Sequence, residues 1–243
     1  YGGFHPGANL FGTSILALDA RTGRRVWHFQ MVHHDLWNYD NPTAPNLVDI
    51  TVNGRRVPAI VQTTKQSFAY VFNRETGEPI WPIEERPVPK SDVPGEWTSP
   101  TQPFPTRPAA YEQQGITIDD LIDYTPALRA RAIEVVKPFR LGPLFNPPAG
   151  PGAADGVRAS IHCPGANGGT NVPGGAAVDP ETGILYVASI KGCSAPVLLA
   201  VKSVDDDANM EWVTRGPGGV GGVDGLPLIK PPYSRITAID LNT

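Results

Sequence analysis

Residues 33–40 place several side chains that can do chemistry close together, at the end of a predicted strand. They are two imidazoles, two carboxylates, an amide and two aromatic rings: His33, His34, Asp35, Trp37, Asn38, Tyr39 and Asp40. Carboxylates at a strand end can act as general bases or metal ligands. If the strand persists, His33 and His34 point to opposite faces and cannot both serve one site. The alternative is a polar loop whose Asp side chains cap backbone N–H groups while Trp37 packs in the core.

Two further segments could contact a ligand. Lys65 stands between two apolar runs. It is either an exposed turn residue or a cation directed at an anionic or carbonyl-bearing ligand. The glycine cluster at 167–175 would let the backbone approach a flat ligand closely, and Asn171, next to Thr170, adds an amide donor and acceptor. The alternative for this cluster is a flexible glycine loop.

A repeated turn indicates which elements position these residues. Asp or Asn is followed four residues later by Gly and four residues after that by Trp, in the triplets Asp19, Gly23, Trp27 and Asn73, Gly77, Trp81. A third copy at 178–183 lacks the Trp, and a fourth begins at 239–243. In each unit the Asp or Asn caps a tight turn, the Gly supplies a positive φ, and the next strand carries the Trp into the core.

Predicted strands flank these turns at 14–18, 26–32, 59–63, 68–72, 184–189 and 235–240. Repeats of about 40–55 residues with several strands each are typical of β-propeller blades. A generic β-sandwich would also explain the alternating strands. It would not explain the recurring turn with Trp at a fixed spacing. The sequence therefore favours an all-β propeller, with residues 1–243 in a single domain, and the resemblance described below implies that this propeller is partial.

Residues 82–175 interrupt the repeat and are predicted to form a long ordered excursion on one face of the propeller. The proline-rich part, 82–108, predicts an extended, irregular loop. A capping box at Thr117 and a Thr125-Pro126 start signal predict two short helices, the second continuing through 128–136. Loops of this length in compact domains are usually functional.

Composition excludes several classes of protein. The formal net charge is −4 and Lys and Arg do not cluster, which argues against a nucleic-acid-binding surface. No run of 18 apolar residues occurs, so the sequence predicts no transmembrane helix. The two cysteines, Cys163 and Cys193, are either a disulfide, which suits an exported protein, or two separate thiols.

Taken together, these motifs resemble the pyrroloquinoline-quinone (PQQ) dehydrogenases, in particular the quinoprotein glucose dehydrogenases. The stretches that carry the resemblance, besides the turn repeats, are 33–37, 63–65, 97–104, 168–171 and 179–187. They follow one another in the family's order and cover nearly the whole chain.

The resemblance implies an eight-bladed propeller of four-stranded blades, of which this chain would supply about half. It implies PQQ near the central axis beside a Ca²⁺ ion whose protein ligands fall upstream of this chain, so no metal ligand is assigned here. It also implies cofactor contacts from Lys65, Trp37, Thr170 and Asn171. The whole enzyme would oxidise a sugar or alcohol CH–OH group and pass electrons to a quinone or cytochrome. It would lie in the periplasm, with any membrane anchor upstream, and the rest of the propeller or a second half would close the ring.

One position departs from the family pattern. The family's catalytic base is the second Asp of a His-Asp-x-Trp-Asp pattern, and this chain has Asn38 there. A neutral amide cannot accept the substrate proton as a carboxylate does. The catalytic candidates are therefore Asn38, Asp35 and Asp40, with either Asp replacing the usual base or another group taking that role. The competing functions are a cofactor-free propeller that serves as a binding or assembly scaffold, and an inactive truncated homologue.

Overall fold

Each predicted turn forms around the side chain of its Asp or Asn. Asp19 Oδ1 accepts hydrogen bonds from the backbone N–H groups of Arg21 and Thr22, at 3.1 and 2.8 Å. Asn73 and Asp179 cap their turns in the same way. The glycine of each turn has a positive φ, between 69° and 77°. The local part of the repeat is therefore confirmed.

The computed structural model describes residues 1–150, 152–171, 175–201, 211–215 and 218–242. The strands of this part of the chain are β1 Ser14–Leu18, β2 Arg25–Gln30, β3 Asn46–Val52, β4 Arg55–Thr63, β5 Ala69–Asn73, β6 Ile83–Pro87, β7 Thr101–Pro105, β8 Phe139–Arg140, β9 Ala159–Ser160, β10 Ala176–Asp179, β11 Ile184–Ile190, β12 Val197–Ala200, β13 Trp212–Arg215, β14 Gly222–Val223, β15 Leu226–Pro227 and β16 Ser234–Asp240. All six predicted strands occur as β1, β2, β4, β5, β11 and β16, and the other ten strands, among them the seven-residue β3, were not predicted.

The antiparallel sheets have the form of propeller blades. One consists of β3, β4 and β5, and a second consists of β10, β11 and β16. A bridge between Phe72 and Pro79 adds the beginning of a fourth strand to the first sheet. Strands β1 and β2 form a separate pair. The arrangement confirms an all-β partial propeller whose sheets do not close into a ring within the described residues.

The excursion at 82–175 contains the two predicted helices. A short 3-10 helix spans Ile118–Asp120 with a capping box at Thr117, and helix α1 spans Pro126–Val136 with Thr125 as its N-cap. No helix among the described residues is long and apolar enough to cross a membrane.

The expectation that 82–108 is an extended, irregular loop is wrong for 83–87 and 101–105. Strands β6 and β7 pair there in antiparallel fashion, with Glu85 opposite Pro103 and Ile83 opposite Pro105. A two-stranded ribbon leaves the outer edge of each strand unpaired. Proline, which has no N–H to donate, is tolerated at such an edge, so the prolines do not prevent pairing.

Three groups of buried side chains hold the blades together. An aromatic core joins β2 and β5 to the excursion through Trp27, Trp37, Tyr70, Phe72 and Phe145. A second core surrounds α1 and Cys163. A third lies between the two three-stranded sheets and includes β-branched and aliphatic residues of β3, β4 and β11. The first and third cores contain side chains from different repeats and therefore join the repeats to one another.

The first repeat packs directly onto the turn of the second. A Cβ placed on Gly77 would lie 2.6 Å from the Trp27 ring, whereas one on Gly23 would meet nothing within 4 Å. Both glycines have positive φ. We therefore expect Gly77→Ala to lower the free energy of unfolding by about 1–3 kcal/mol more than Gly23→Ala, since only the former adds overpacking to the backbone penalty. Denaturant unfolding of both variants in the complete protein measures this, and equal losses would contradict the packing described here.

Candidate functional site

The segment that follows β2 is shaped by the carboxylate of Asp35. Its Oδ1 accepts a hydrogen bond from the Trp37 N–H at 2.8 Å, and its Oδ2 accepts one from the Tyr39 N–H at 2.6 Å. Asn38 takes a left-handed φ of 63°, which Asn tolerates better than most residues. The turn directs Trp37 and Tyr39 into the core and leaves Asn38 exposed.

Trp37 is mainly a core residue. Its indole N–H donates to the Asn146 carbonyl at 2.7 Å, and its ring lies edge-on to Phe145 with the centroids 5.1 Å apart. The core packing that was the alternative for Trp37 is therefore present. Trp37 also lines a cavity, and its contact with a cofactor stays a prediction.

The two histidines lie in separate environments. The His33 ring is 2.9 Å from both the Gln30 side chain and Glu85 Oε1. His34 is buried, with its Nδ1 2.8 Å from the Gly7 carbonyl, and burial lowers its pKa. Since β2 ends at Gln30, strand alternation is not the reason that the rings diverge. They nevertheless do not share a site.

Lys65 lies in the tight turn between β4 and β5, and its side chain reaches the 35–40 segment. Its ammonium donates to Asp40 Oδ1 at 2.5 Å and to the Asn38 carbonyl at 3.0 Å. The Lys65 side chain is only 5% exposed, while that of Asp40 is 58% exposed. The interpretation of Lys65 as an exposed turn residue is therefore wrong. The structure brings Lys65, Asn38 and Asp40 together from two separate segments.

The glycine cluster packs against the backbone of the turn that carries Lys65. A Cβ on Gly169 would lie 2.1 Å from the Lys65 carbonyl oxygen, so only glycine fits there. Thr170 donates its backbone N–H to the Thr64 carbonyl at 3.2 Å, and its buried hydroxyl is 2.8 Å from the Tyr111 hydroxyl. This loop is therefore packed against a neighbouring turn. Residues 172–174 of the predicted cluster lie outside the described residues.

Asn171 is half-buried, and its amide donates to Asn167 Oδ1 at 3.4 Å. It lines a cavity of about 300 Å³ together with Ser189 and Arg235. Arg235 forms an ion pair at 2.9 Å with the fully buried side chain of Glu112. The predicted cofactor roles of Thr170 and Asn171 stay predictions.

A larger cavity, of about 670 Å³, opens beside the Asp35 turn. Its walls are formed by Tyr1, Asp35, Leu36, Trp37, Asn38, Pro148, Ala166, Asn167, Ser194, Pro196, Leu198 and Thr214. Of the residues predicted from sequence, Asp35, Trp37 and Asn38 line it, and Lys65 adjoins it through Asn38. Sequence reasoning missed Ser194 and Thr214, which carry no local motif. Asn167 belongs to the glycine cluster but was not singled out.

The carboxyl of Asp35 has a shifted pKa. Burial raises the pKa of Asp35 to about 6, and the nearby negative charge of Asp40 adds to this effect. The hydrogen bonds from the N–H groups of Trp37 and Tyr39, and the charge of Lys65, act in the opposite direction. At neutral pH Asp35 is therefore mostly ionised, but it binds a proton far more readily than an exposed Asp.

The two cysteines form a disulfide, with Cα atoms 4.5 Å apart. Among the described residues no three His, Cys, Asp or Glu side chains are grouped so that they could hold a metal ion. The predicted Ca²⁺ therefore has no ligand set in this part of the molecule.

Comparisons with known proteins identify related chains over nearly the full length. The family described as "PQQ: Glucose/ethanol/alcohol dehydrogenase, beta-propeller domain" matches residues 1–243. Quinate/shikimate dehydrogenase (quinone) of Acinetobacter baylyi is 32% identical, over 96% of this chain and 30% of its own length. Quinoprotein glucose dehydrogenase of Gluconobacter oxydans is 35% identical, over 96% of this chain and 31% of its own length. The chain thus spans less than a third of these relatives.

A solved structure has a similar fold. Quinohemoprotein alcohol dehydrogenase from Comamonas testosteroni superimposes with a TM-score of 0.50 and 22% identity, over 96% of this chain and 28% of that chain. At this level of identity the similarity concerns the fold alone.

The buried position of Lys65 predicts low chemical reactivity. We expect acetic anhydride to modify Lys65 at least about tenfold more slowly than Lys90, because burial shields the amine and a tenfold change corresponds to only 1.4 kcal/mol of protection. Lys90 is exposed and serves as the internal control. Peptide mass spectrometry at low labelling measures both sites in the complete protein. Equal labelling would contradict the position of Lys65.

Proposed function

Because this chain belongs to the glucose/ethanol/alcohol dehydrogenase β-propeller family, we propose that it forms part of a PQQ-dependent dehydrogenase that oxidises a sugar or alcohol CH–OH group. The observation that carries the proposal is the contact of the buried Lys65 ammonium with Asn38 and Asp40, beside the cavity that Asp35 lines. A scaffold propeller needs the turn repeats but has no use for a buried cation next to a carboxylate-lined cavity.

The described residues fit an anionic quinone. The Lys65 ammonium has three N–H groups, of which Asn38 and Asp40 take two, so one can be donated to a quinone or carboxylate oxygen of PQQ. The exposed Asn38 amide and that of Asn167 on the cavity wall can donate to the same class of oxygen. When bound, PQQ supplies the two-electron acceptor that receives the hydride from the substrate carbon.

Asp35 is the carboxylate best suited to accept the hydroxyl proton. It lines the cavity, and its raised pKa of about 6 is close to neutral pH, where a general base is most effective. Asp40 is held in the ion pair with Lys65, which fixes the direction of the ammonium group. Asn38 can orient the substrate hydroxyl by hydrogen bonding but cannot accept its proton.

The remaining parts of the proposal concern the whole protein. Ca²⁺ would be bound by residues upstream, and no step is assigned to it here. Electrons would pass to a quinone or a cytochrome, and the rest of the propeller or a second half would close the ring. A periplasmic location is supported by the Cys163–Cys193 disulfide, since disulfides persist in oxidising compartments.

Equilibrium titration of the complete protein with PQQ, which measures its affinity for the cofactor, tests the proposal. We expect Lys65→Ala to weaken PQQ binding about tenfold to a hundredfold, the range for loss of a hydrogen bond from a charged group. Lys90→Ala, at an exposed site, should leave the affinity unchanged. If the unmodified protein does not bind PQQ, the scaffold function is favoured instead.

If Asp35 is the base, activity should depend on its ionisation. We expect kcat/KM to rise as the pH increases through about 6 and then to level off, because only the ionised carboxylate accepts the proton. Asp35→Asn should lower kcat by about 10²–10⁴-fold and abolish this pH dependence. A stopped-flow or dye-linked assay across pH 4.5–9 measures both.

The companion variant Asn38→Asp distinguishes the two positions. It should change kcat by less than about tenfold if Asp35 is the base, since general base catalysis contributes more than this. A larger gain would assign the base role to position 38 and would mean that the protein with Asn38 is impaired.

A further inference from the structure

The Cys163–Cys193 disulfide lies at the root of the loop that forms one wall of the large cavity. Next to it, His162 and Ser194 form an antiparallel bridge, with backbone hydrogen bonds of 2.8 and 3.0 Å. Cys163 is 1% exposed. The bond therefore joins two neighbouring backbone segments that also meet through hydrogen bonds.

The loop that follows Cys163 carries the cavity residue Asn167 and packs closely on residues 190–194. Gly165 donates its N–H to the Gly192 carbonyl at 2.7 Å, and Ala166 donates to the Ser194 hydroxyl at 3.3 Å. A Cβ on Gly165 would lie 2.2 Å from Ser194 Oγ. The segments thus touch backbone to backbone, and glycine contributes no side chain that could interlock them. The covalent bond is the strongest restraint on their distance.

The same root is also tied to the Asp35 turn. The Tyr39 hydroxyl donates to the Pro164 carbonyl at 2.6 Å, one residue beyond the disulfide. The Tyr39 backbone N–H in turn donates to Asp35 Oδ2 at 2.6 Å. The disulfide therefore fixes Asn167 and Ser194 directly, and Asp35 through Pro164 and Tyr39.

We propose that the Cys163–Cys193 disulfide is a positioning crosslink of this cavity, which sets the distance between its Asn167–Ser194 wall and its Asp35 wall. The inference rests on the proposed function insofar as the cavity receives the substrate. Cys163 and Cys193 touch no reacting atom and act through the residues that they hold. Without the crosslink, the glycine loop moves relative to Asp35, and substrate binding weakens while the chemical groups remain present.

The double variant Cys163→Ser/Cys193→Ser, in the complete PQQ-loaded protein, tests the inference. We expect KM for the substrate to rise at least about fivefold with kcat within about twofold, because a displaced wall first removes ground-state binding. The matched control is Val71→Ala. It removes side-chain volume from the core between the two three-stranded sheets, away from the disulfide. The control should lower the thermal midpoint without changing KM at temperatures well below it.

Loss of thermal stability with an unchanged KM would reduce the disulfide to a purely structural role and overturn the inference. Detection of two free thiols in the native protein without reductant would also overturn it. If the double variant fails to fold, Tyr39→Phe replaces it. This variant keeps the buried ring but removes the hydrogen bond to Pro164. It should also raise KM.

Amide hydrogen exchange separates this inference from the proposed function. Peptides covering 35–39 and 164–171 should exchange faster in the cysteine double variant or in Tyr39→Phe than in Val71→Ala, whether or not the protein binds PQQ. Faster exchange in a protein that does not bind PQQ would contradict the proposed function but support the crosslink. Unchanged exchange in an active enzyme would contradict the crosslink alone.

Discussion

The site depends on the burial of one ammonium group. Lys65 is almost fully enclosed, and a buried charge is tolerated only when it is paired and hydrogen-bonded. The Asp40 carboxylate and the Asn38 carbonyl meet that requirement. Consequently the turn after β4 and the segment after β2 cannot move independently. Removing the Asp40 carboxylate would leave the buried Lys65 ammonium without its counter-ion.

Close backbone packing of the glycine loop also holds the turn that carries Lys65. Gly169 lies so near the Lys65 carbonyl that any side chain would displace it, and Thr170 bonds both to the Lys65 turn and to Tyr111. The glycine loop, a candidate ligand cradle by sequence, is thus also a structural support. One loop therefore links the position of the cation to that of Asn167 on the cavity wall.

Environment gives the two acidic residues of the segment different properties. Asp40 is exposed and forms an ion pair with Lys65. Asp35 is partly buried, and this burial raises its pKa to about 6, so that it exchanges a proton near neutral pH. A carboxyl with a raised pKa on a cavity wall is a candidate for proton transfer. If Asp35 is the base, Asn38 can contribute to the site by hydrogen bonding and need not accept a proton.

The sequence by itself determined the turns, six of the sixteen described strands, both helices and the family, because these depend on residues close together in the chain. Asp19 and Gly23 define their turn locally, and Thr125 and Pro126 define the start of α1. The sequence did not reveal the β6–β7 hairpin, because nothing local shows that the prolines face an unpaired edge. It left open whether Lys65 is exposed and whether Cys163 and Cys193 pair. Only the tertiary structure decided these points and placed Ser194 and Thr214 on the cavity wall. Burial, ion pairing and a raised pKa arise from segments far apart in sequence that packing brings into contact.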